Sequence, residues 1–291
     1  MYLSSKSNGR NIEAIGSICQ YQLIFYAVCK TLKLNYHFAN FENIAGREPT
    51  DLESEVWDKK LNDFFNFQYL NIKKPGEKVY EIDFVKDYFA KNKNFISKVQ
   101  RKILFYLFRK NIKSIFDKNI ISELNKNIKY DGNIHFSNNE SKKIAIHLRT
   151  PFPEIDITFS ENREVFYGLN RQIDYLNTTL RQLEHKFKDI KFEVHIFSKK
   201  SFSELENVKF LKKDNIVYLH QDESLDTTLY HLIFADLLIG SNSGLSYVAH
   251  YLNSGKSIFK RSFRNPNRPY YPNCIETNNL GYIQDLNNLE I

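Results

Sequence analysis

Two short stretches of this 291-residue chain combine residue types able to hold a phosphorylated ligand. The first is Ile144-Ala145-Ile146-His147-Leu148-Arg149-Thr150, an apolar run that ends in an imidazole and a guanidinium. The second, about ninety residues on, is Ala235-Asp236-Leu237-Leu238-Ile239-Gly240-Ser241-Asn242-Ser243-Gly244-Leu245-Ser246, where an apolar run breaks into hydroxyl, amide and glycine residues. A guanidinium offers two parallel donors to phosphate oxygens. A helix start offers backbone N–H groups and partial positive charge, and small side chains let an anion come close. Brought together, Arg149 and the set Ser241, Asn242, Ser243, Gly244 and Ser246 would grip a diphosphate. Arg149 would then stabilise the negative charge that develops there as a bond to the diphosphate breaks. His147 would hydrogen-bond the same ligand or merely pack beside it. A plainer alternative stands next to each assignment: a surface ion pair for Arg149, and helix capping alone for the serines.

For these groups to meet, the two apolar runs must be parallel strands of one sheet, with their C-terminal ends opening on a common crevice. The rest of the chain agrees with that arrangement. After Ile144 to Leu148, a helical pattern runs from about Val165 to Phe187, with Leu169, Ile173, Leu176, Leu180 and Leu183 three or four residues apart. Strands follow at Phe192 to Ser198 and Ile216 to Leu219, then a helix through Leu225, Leu229 and Ile233, a helix beginning near Ser243, and a strand at Ser257 to Phe259. Such alternation is the pattern of an α/β three-layer domain. The N-terminal part opens similarly, with a strand at Tyr2 to Ser5, a polar loop that includes Gly16-Ser17, a helix from Gln20 to Leu32 and a strand at Leu34 to Phe38. A polar stretch from Asn125 to Lys143 reads as the passage between two domains, 1–140 and 141–291.

Composition limits the alternatives. No run approaches the ~18 apolar residues of a membrane span, and the N-terminus has no signal-peptide pattern, so a cytoplasmic location is expected. Cys19, Cys29 and Cys274 lack metal-ligand spacing and read as ordinary thiols. The net charge of +7 is uneven: Lys91, Lys93, Lys98, Arg101, Lys102, Arg109, Lys110 and Lys113 occur without an intervening acid, and Val99, Ile103, Tyr106 and Leu107 share a helical face. That segment is a surface helix, or one that touches an anionic membrane or a lipid diphosphate acceptor. No nucleic-acid-binding signature accompanies it.

The order of these motifs resembles the α-1,2-, α-1,6- and protein O-fucosyltransferase superfamily. The resemblance covers about residues 142 to 260 and is strongest from Ile239 to Asn253, where Asn242, Ser243, Ser246, Leu252 and Asn253 match the family's Ile-x-x-Asn-Ser-x-Phe-Ser-Trp-Trp-x-x-x-Leu-Asn stretch. Where the family has His-x-Arg-Arg-x-Asp, this chain reads His147-Leu148-Arg149-Thr150-Pro151-Phe152, so one arginine remains for the β-phosphate. The resemblance implies the GT-B fold, two Rossmann-like domains facing across a cleft. The C-terminal domain would bind a nucleotide-sugar donor such as GDP-fucose, and the N-terminal domain would supply much of the acceptor site.

Chemistry of that kind is inverting transfer to a glycan or lipid-linked acceptor, with a carboxylate removing the acceptor proton. Glu154 and Asp156 follow Arg149 most closely and are the candidate bases, against the alternative of surface carboxylates. No Asp-x-Asp pair marks a metal site, Asp222-Glu223 falls on a loop, and Lys260, Arg261, Arg264 and Arg268 add positive charge to the same sheet rim. The expectation is therefore transfer without a metal or other cofactor, basic residues serving the diphosphate instead. A noncatalytic protein binding sugar nucleotides or glycans is the alternative.

Overall fold

The structure, a computed structural model, describes residues 2–5, 15–31, 33–38, 40–41, 54–70, 76–82, 117–137, 140–149, 169–198, 215–260 and 274–291. The basic segment Lys91 to Lys113, the candidate bases Glu154 and Asp156, and Arg261, Arg264 and Arg268 lie outside the described residues. The chain divides into two compact units, Met1–Asp131 with Asn265–Pro272, and Gly132–Arg264 with Asn273–Ile291. Each is α/β and built on a parallel sheet, as the GT-B expectation requires. No helix among the described residues is long and apolar enough to cross a membrane.

In the first unit β1 (Tyr2–Ser5) lies between β2 (Asn35–Tyr36) and β3 (Val79–Ile82), parallel to both. Helix α1 (Ile15–Thr31) is apolar nearly all round, and Cys19, Leu23, Phe25, Tyr26, Val28 and Cys29 are all buried, as expected of a helix enclosed on every side. It starts earlier than predicted. Gly16 and Ser17 form its first turn rather than a loop, and the Gly16 carbonyl accepts a hydrogen bond from Gln20 Nε2 at 2.9 Å. The predicted strand Leu34 to Phe38 pairs only over Asn35–Tyr36. Helix α2 (Ser54–Phe65) brings Phe65 against Phe67, which packs on Phe38, with ring centroids 4.9–5.0 Å apart. Helix α3 (Lys118–Asn125) is capped by Asp117, whose carboxylate accepts from Ile120 N at 2.8 Å, and is tied to α1 by the Lys30–Glu123 ion pair. The thiols of Cys19 and Cys29 are free and unreactive, burial raising Cys29 to about 12 and Cys19 further.

The second unit is a six-stranded parallel sheet in the order β6-β5-β4-β7-β8-β9. Its strands are β4 (Lys142–Leu148), β5 (Phe192–Ser198), β6 (Ile216–Gln221), β7 (Leu237–Ile239), β8 (Lys256–Lys260) and β9 (Cys274–Thr277). The last of these had no clear signal in the sequence. Helix α4 (Leu169–Lys186) packs Ile173, Leu176, Leu180 and Leu183 on the face formed by Ile144, Ile146, Leu148, Val194, Ile196, Leu237, Ile239 and Ile258. Strand side chains alternate, so the intervening residues face the other layer, helices α5 (Leu225–Phe234) and α6 (Gly244–Leu252). Burying both faces is the ordinary state of a parallel sheet.

Glu193 and His195 are drawn into that second layer. Glu193, 2% exposed, accepts from Ser137 N at 2.8 Å, from the Ser137 hydroxyl, from Lys143 Nζ at 3.0 Å and from His195 Nε2 at 2.7 Å. Burial alone would raise this carboxyl, but the donors from Ser137, His195 and Lys143 hold it down at about 2. Gly132 to Ser137, which by composition belong to an interdomain passage, thus lie on the second unit because Ser137 satisfies its buried carboxylate.

Helices α5 and α6 are joined by one amide. Asn253 Nδ2 shares its two protons among the carbonyls of Leu232 (3.1 Å), Ile233 (3.0 Å) and Ala235 (2.9 Å), the unpaired acceptors at the end of α5. Asn253→Ala leaves these buried acceptors without their donor. It should lower the unfolding free energy by about 2–4 kcal/mol, given roughly 1–3 kcal/mol per unsatisfied group. Urea unfolding followed by circular dichroism measures this, and an unchanged midpoint would show that the carbonyls find other partners.

Candidate functional site

Numbered along the chain, the strand order of the second unit is 3-2-1-4-5-6, with the topological switch between β4 and β7. From β4 the chain passes to α4 on one face, and from β7 to α6 on the other, so the connections diverge and leave a crevice at the strand ends. The two strands pair as Ile144↔Leu237, Ala145↔Leu238 and Ile146↔Ile239. At the far end of the sheet Asp236 locks this register, its carboxylate accepting from Lys143 N at 2.8 Å and lying 3.3 Å from Lys142 Nζ.

At the crevice end the predicted residues come together. Arg149 donates from Nη1 to the Asn242 carbonyl at 3.2 Å, which places the guanidinium at the turn leading into α6. His147 Nδ1 is 2.7 Å from Ser246 Oγ and 3.4 Å from Ser241 Oγ, and Ser246 Oγ also accepts from Ser241 N at 3.0 Å. Ser243 is the N-cap of α6, accepting from Leu245 N at 3.3 Å, and Gly244 is the first helical residue. The turn is tight because of Gly240: a Cβ there would lie 2.2 Å from the Phe259 ring, itself stacked on Tyr247.

This geometry divides the predicted set. Asn242, Ser243 and Gly244 are partly exposed at the mouth of the helix. Ser246, expected to touch the ligand, is fully buried and commits its hydroxyl to His147 and Ser241, so it positions the turn from beneath. Asp236, in the second apolar run, and Asn253, in the matching motif, lie in the scaffold. Lys260 is buried with Nζ 5.6 Å from the Tyr175 ring, on the α4 side. His147 is pushed down to about 4, first by burial and then by the adjacent Arg149 charge. It is therefore neutral near pH 7, and a single proton is shared between its Nδ1 and the Ser246 hydroxyl. A fixed cation, a neutral imidazole and the start of a helix are groups with the chemistry to hold an anion.

A second cluster escaped sequence reading. Four of the eight histidines gather where Gly132–Ser137 crosses β5 and β6: His135, His195, His220 and His231. His195 Nδ1 is 2.8 Å from His220 Nε2, and His231 Nε2 accepts from His135 N at 2.8 Å. Glu223 lies at the edge of the group, 3.0 Å from His135 Nε2 and 3.7 Å from His220 Nδ1. The available signal was the placement of Glu193, His195 and His220 within otherwise apolar strand runs.

No protein-family profile and no curated protein matches the chain. A heptosyltransferase structure resembles it. That structure, described as the dodecameric iron-containing heptosyltransferase TibC in complex with ADP-D-β-D-heptose, matches at 13% identity with a TM-score of 0.41. The match covers 94% of this chain and 61% of the other, so this chain spans about three fifths of that protein's length. A likeness of that size assigns neither family nor activity, and the functional reading rests on the site.

Histidines shielded within this layer give a pH signature. His147 and His250 are held at about 4 and about 3 by burial, below the ordinary 6.5. Between pH 6.5 and 4 the unfolded chain therefore binds more protons than the folded one, and stability must fall as pH falls. Each such histidine contributes a slope approaching about 1.4 kcal/mol per pH unit. Urea midpoints at pH 7.5, 6.5 and 5.5 should fall across the last two, and His250→Gln should flatten the fall. A midpoint constant to pH 5 would contradict the buried, neutral assignment.

Proposed function

We propose that this chain is a glycosyltransferase that moves a sugar from a nucleotide-diphosphate donor to a hydroxyl of a glycan or lipid-linked acceptor. The observation that carries the reading is the bond from Arg149 to the Asn242 carbonyl. It holds a guanidinium at the switch point of a 3-2-1-4-5-6 sheet, beside the start of α6. Ligands of open α/β sheets bind at that crevice. In the transfer, the bond from the anomeric carbon to the β-phosphate oxygen breaks and the leaving diphosphate keeps the electron pair. The acceptor oxygen forms the new bond on the opposite face, inverting the centre, and a carboxylate takes its proton.

In this scheme Arg149 and the first turn of α6 stabilise the leaving diphosphate, with the neutral imidazole of His147 beside them. Glu154 and Asp156 remain the candidates for the base, and the Lys91–Lys113 segment the candidate for an anionic membrane or lipid acceptor. The resemblance to fucosyltransferases makes GDP-fucose the first donor to try, while Thr150 in place of a second arginine argues for including ADP- and UDP-sugars.

A donor screen for hydrolysis and transfer should yield one productive nucleotide sugar, whereas tight binding without turnover would identify a binding protein of the same fold. With that donor, Arg149→Lys keeps the charge but loses the two-donor fork. Turnover should drop roughly a hundredfold, the equivalent of about 3 kcal/mol for one lost oxyanion donor. Wild-type turnover in Arg149→Lys would remove Arg149 from the leaving-group site.

A further inference from the structure

We propose that His135, His220 and Glu223 form a binding site for a divalent transition metal ion of the zinc class, fastening the segment Gly132–Ser137 to the outer edge of the sheet. The three side chains present one ligand atom each, all within 4.8 Å of one another. Glu223 Oε1 stands 3.0 Å from His135 Nε2 and 3.7 Å from His220 Nδ1. A tetrahedral zinc ion with bonds of 2.0–2.1 Å separates its ligands by about 3.3–3.4 Å, between those two values. The backbone builds the site: Asp222, with φ of 54°, turns the chain at the end of β6 so that Glu223 folds back over His220.

The hydrogen bonds leave the lone pairs of this cluster facing inward. Glu193 is an ionised carboxylate paired with Lys143 and can only accept, so His195 carries its proton on Nε2 and offers Nδ1 as an acceptor. His220 then donates from Nε2 to His195, which leaves its Nδ1 lone pair directed at the Glu223 carboxylate. Two acceptors in that relation repel each other unless a cation lies between them. His135 Nε2 is shielded from solvent and, despite its proximity to Glu223, has no hydrogen-bond partner among the described residues. His231 cannot serve as a ligand: its Nδ1–H goes to the Thr227 carbonyl and its Nε2 accepts from the His135 backbone. That same bond fixes the backbone of a ligand residue.

The chain His220–His195–Glu193 is the outer-shell arrangement that orients a metal-bound imidazole and raises its basicity. Two imidazoles and one carboxylate are the donor set of zinc sites with an open fourth position, filled by water. The ion stands apart from the diphosphate chemistry, since β6 is two strands from β4 and strands lie about 4.8 Å apart.

The test uses the full chain after removal of metal with a chelator. Titration with cobalt(II) should give one equivalent of binding with the intense ligand-field absorption of a four-coordinate site, reversed by zinc. Glu223→Gln and His135→Gln should each weaken binding by more than the roughly 10–100-fold that loss of a group merely orienting a ligand costs. His185→Gln, an exposed histidine on α4, should leave it unchanged. Zinc should raise the thermal midpoint of the wild type and not of Glu223→Gln. Failure to bind cobalt stoichiometrically, a six-coordinate spectrum, or equal binding in Glu223→Gln would each overturn the proposal. None of these readouts depends on a sugar donor, so they are separable from the transferase reading.

Discussion

The parallel pairing of β4 with β7 is the constraint on which the rest of the second unit depends. Residues 93 apart in sequence are set side by side over three pairs, and the Asp236 carboxylate on the Lys143 amide fixes their register at one end. A one-residue slip would turn His147 toward α4 and Leu148 toward α6, exchanging a polar face for an apolar one. Everything at the crevice follows from that alignment: the distance from Arg149 to Asn242, the approach of Ser246 to His147, and the close passage of Gly240 over Phe259.

The layer between the sheet and helices α5 and α6 holds an unusual amount of polar chemistry for a buried region. Its two ends solve the problem of desolvation differently. At the switch point the imidazole of His147 stays neutral, leaving Arg149 as the charged member of its pair. At the outer edge Glu193 stays charged, which it can do because donors from Ser137, Lys143 and His195 converge on it. Buried polar groups persist when their hydrogen-bonding capacity is met, and each end meets it with residues distant in sequence.

What the sequence revealed followed the range of the interactions involved. The strand runs Ile144 to Leu148 and Phe192 to Ser198 and the α4 periodicity are local signals: both strands stand within two residues of their expected places, and α4 ends within one residue of the expected Phe187. The crevice residues were legible because a strand, a glycine-containing turn and a serine cap are consecutive in sequence. The distinction between Ser243, capping at the rim, and Ser246, buried below it, depends on helix rotation against β4, which composition does not encode. The histidine cluster was illegible because its members come from the 132–137 segment, two strands, a turn and a helix. Glu193 and His195 in β5 also mimic the alternation of a half-exposed strand, yet every residue of β5 is buried. Likewise Asp236 and Asn253 read as motif residues, although their hydrogen bonds are architectural.

The single amide of Asn253 has a consequence for how this unit breathes. Because the residue that ends α6 holds the last carbonyls of α5, neither helix can detach without stripping the other of its terminal partners. The two helices are thereby merged into one cooperative unit of local unfolding, and their amide protons should become visible to solvent together rather than in turn. This layer of the unit opens as a whole or not at all.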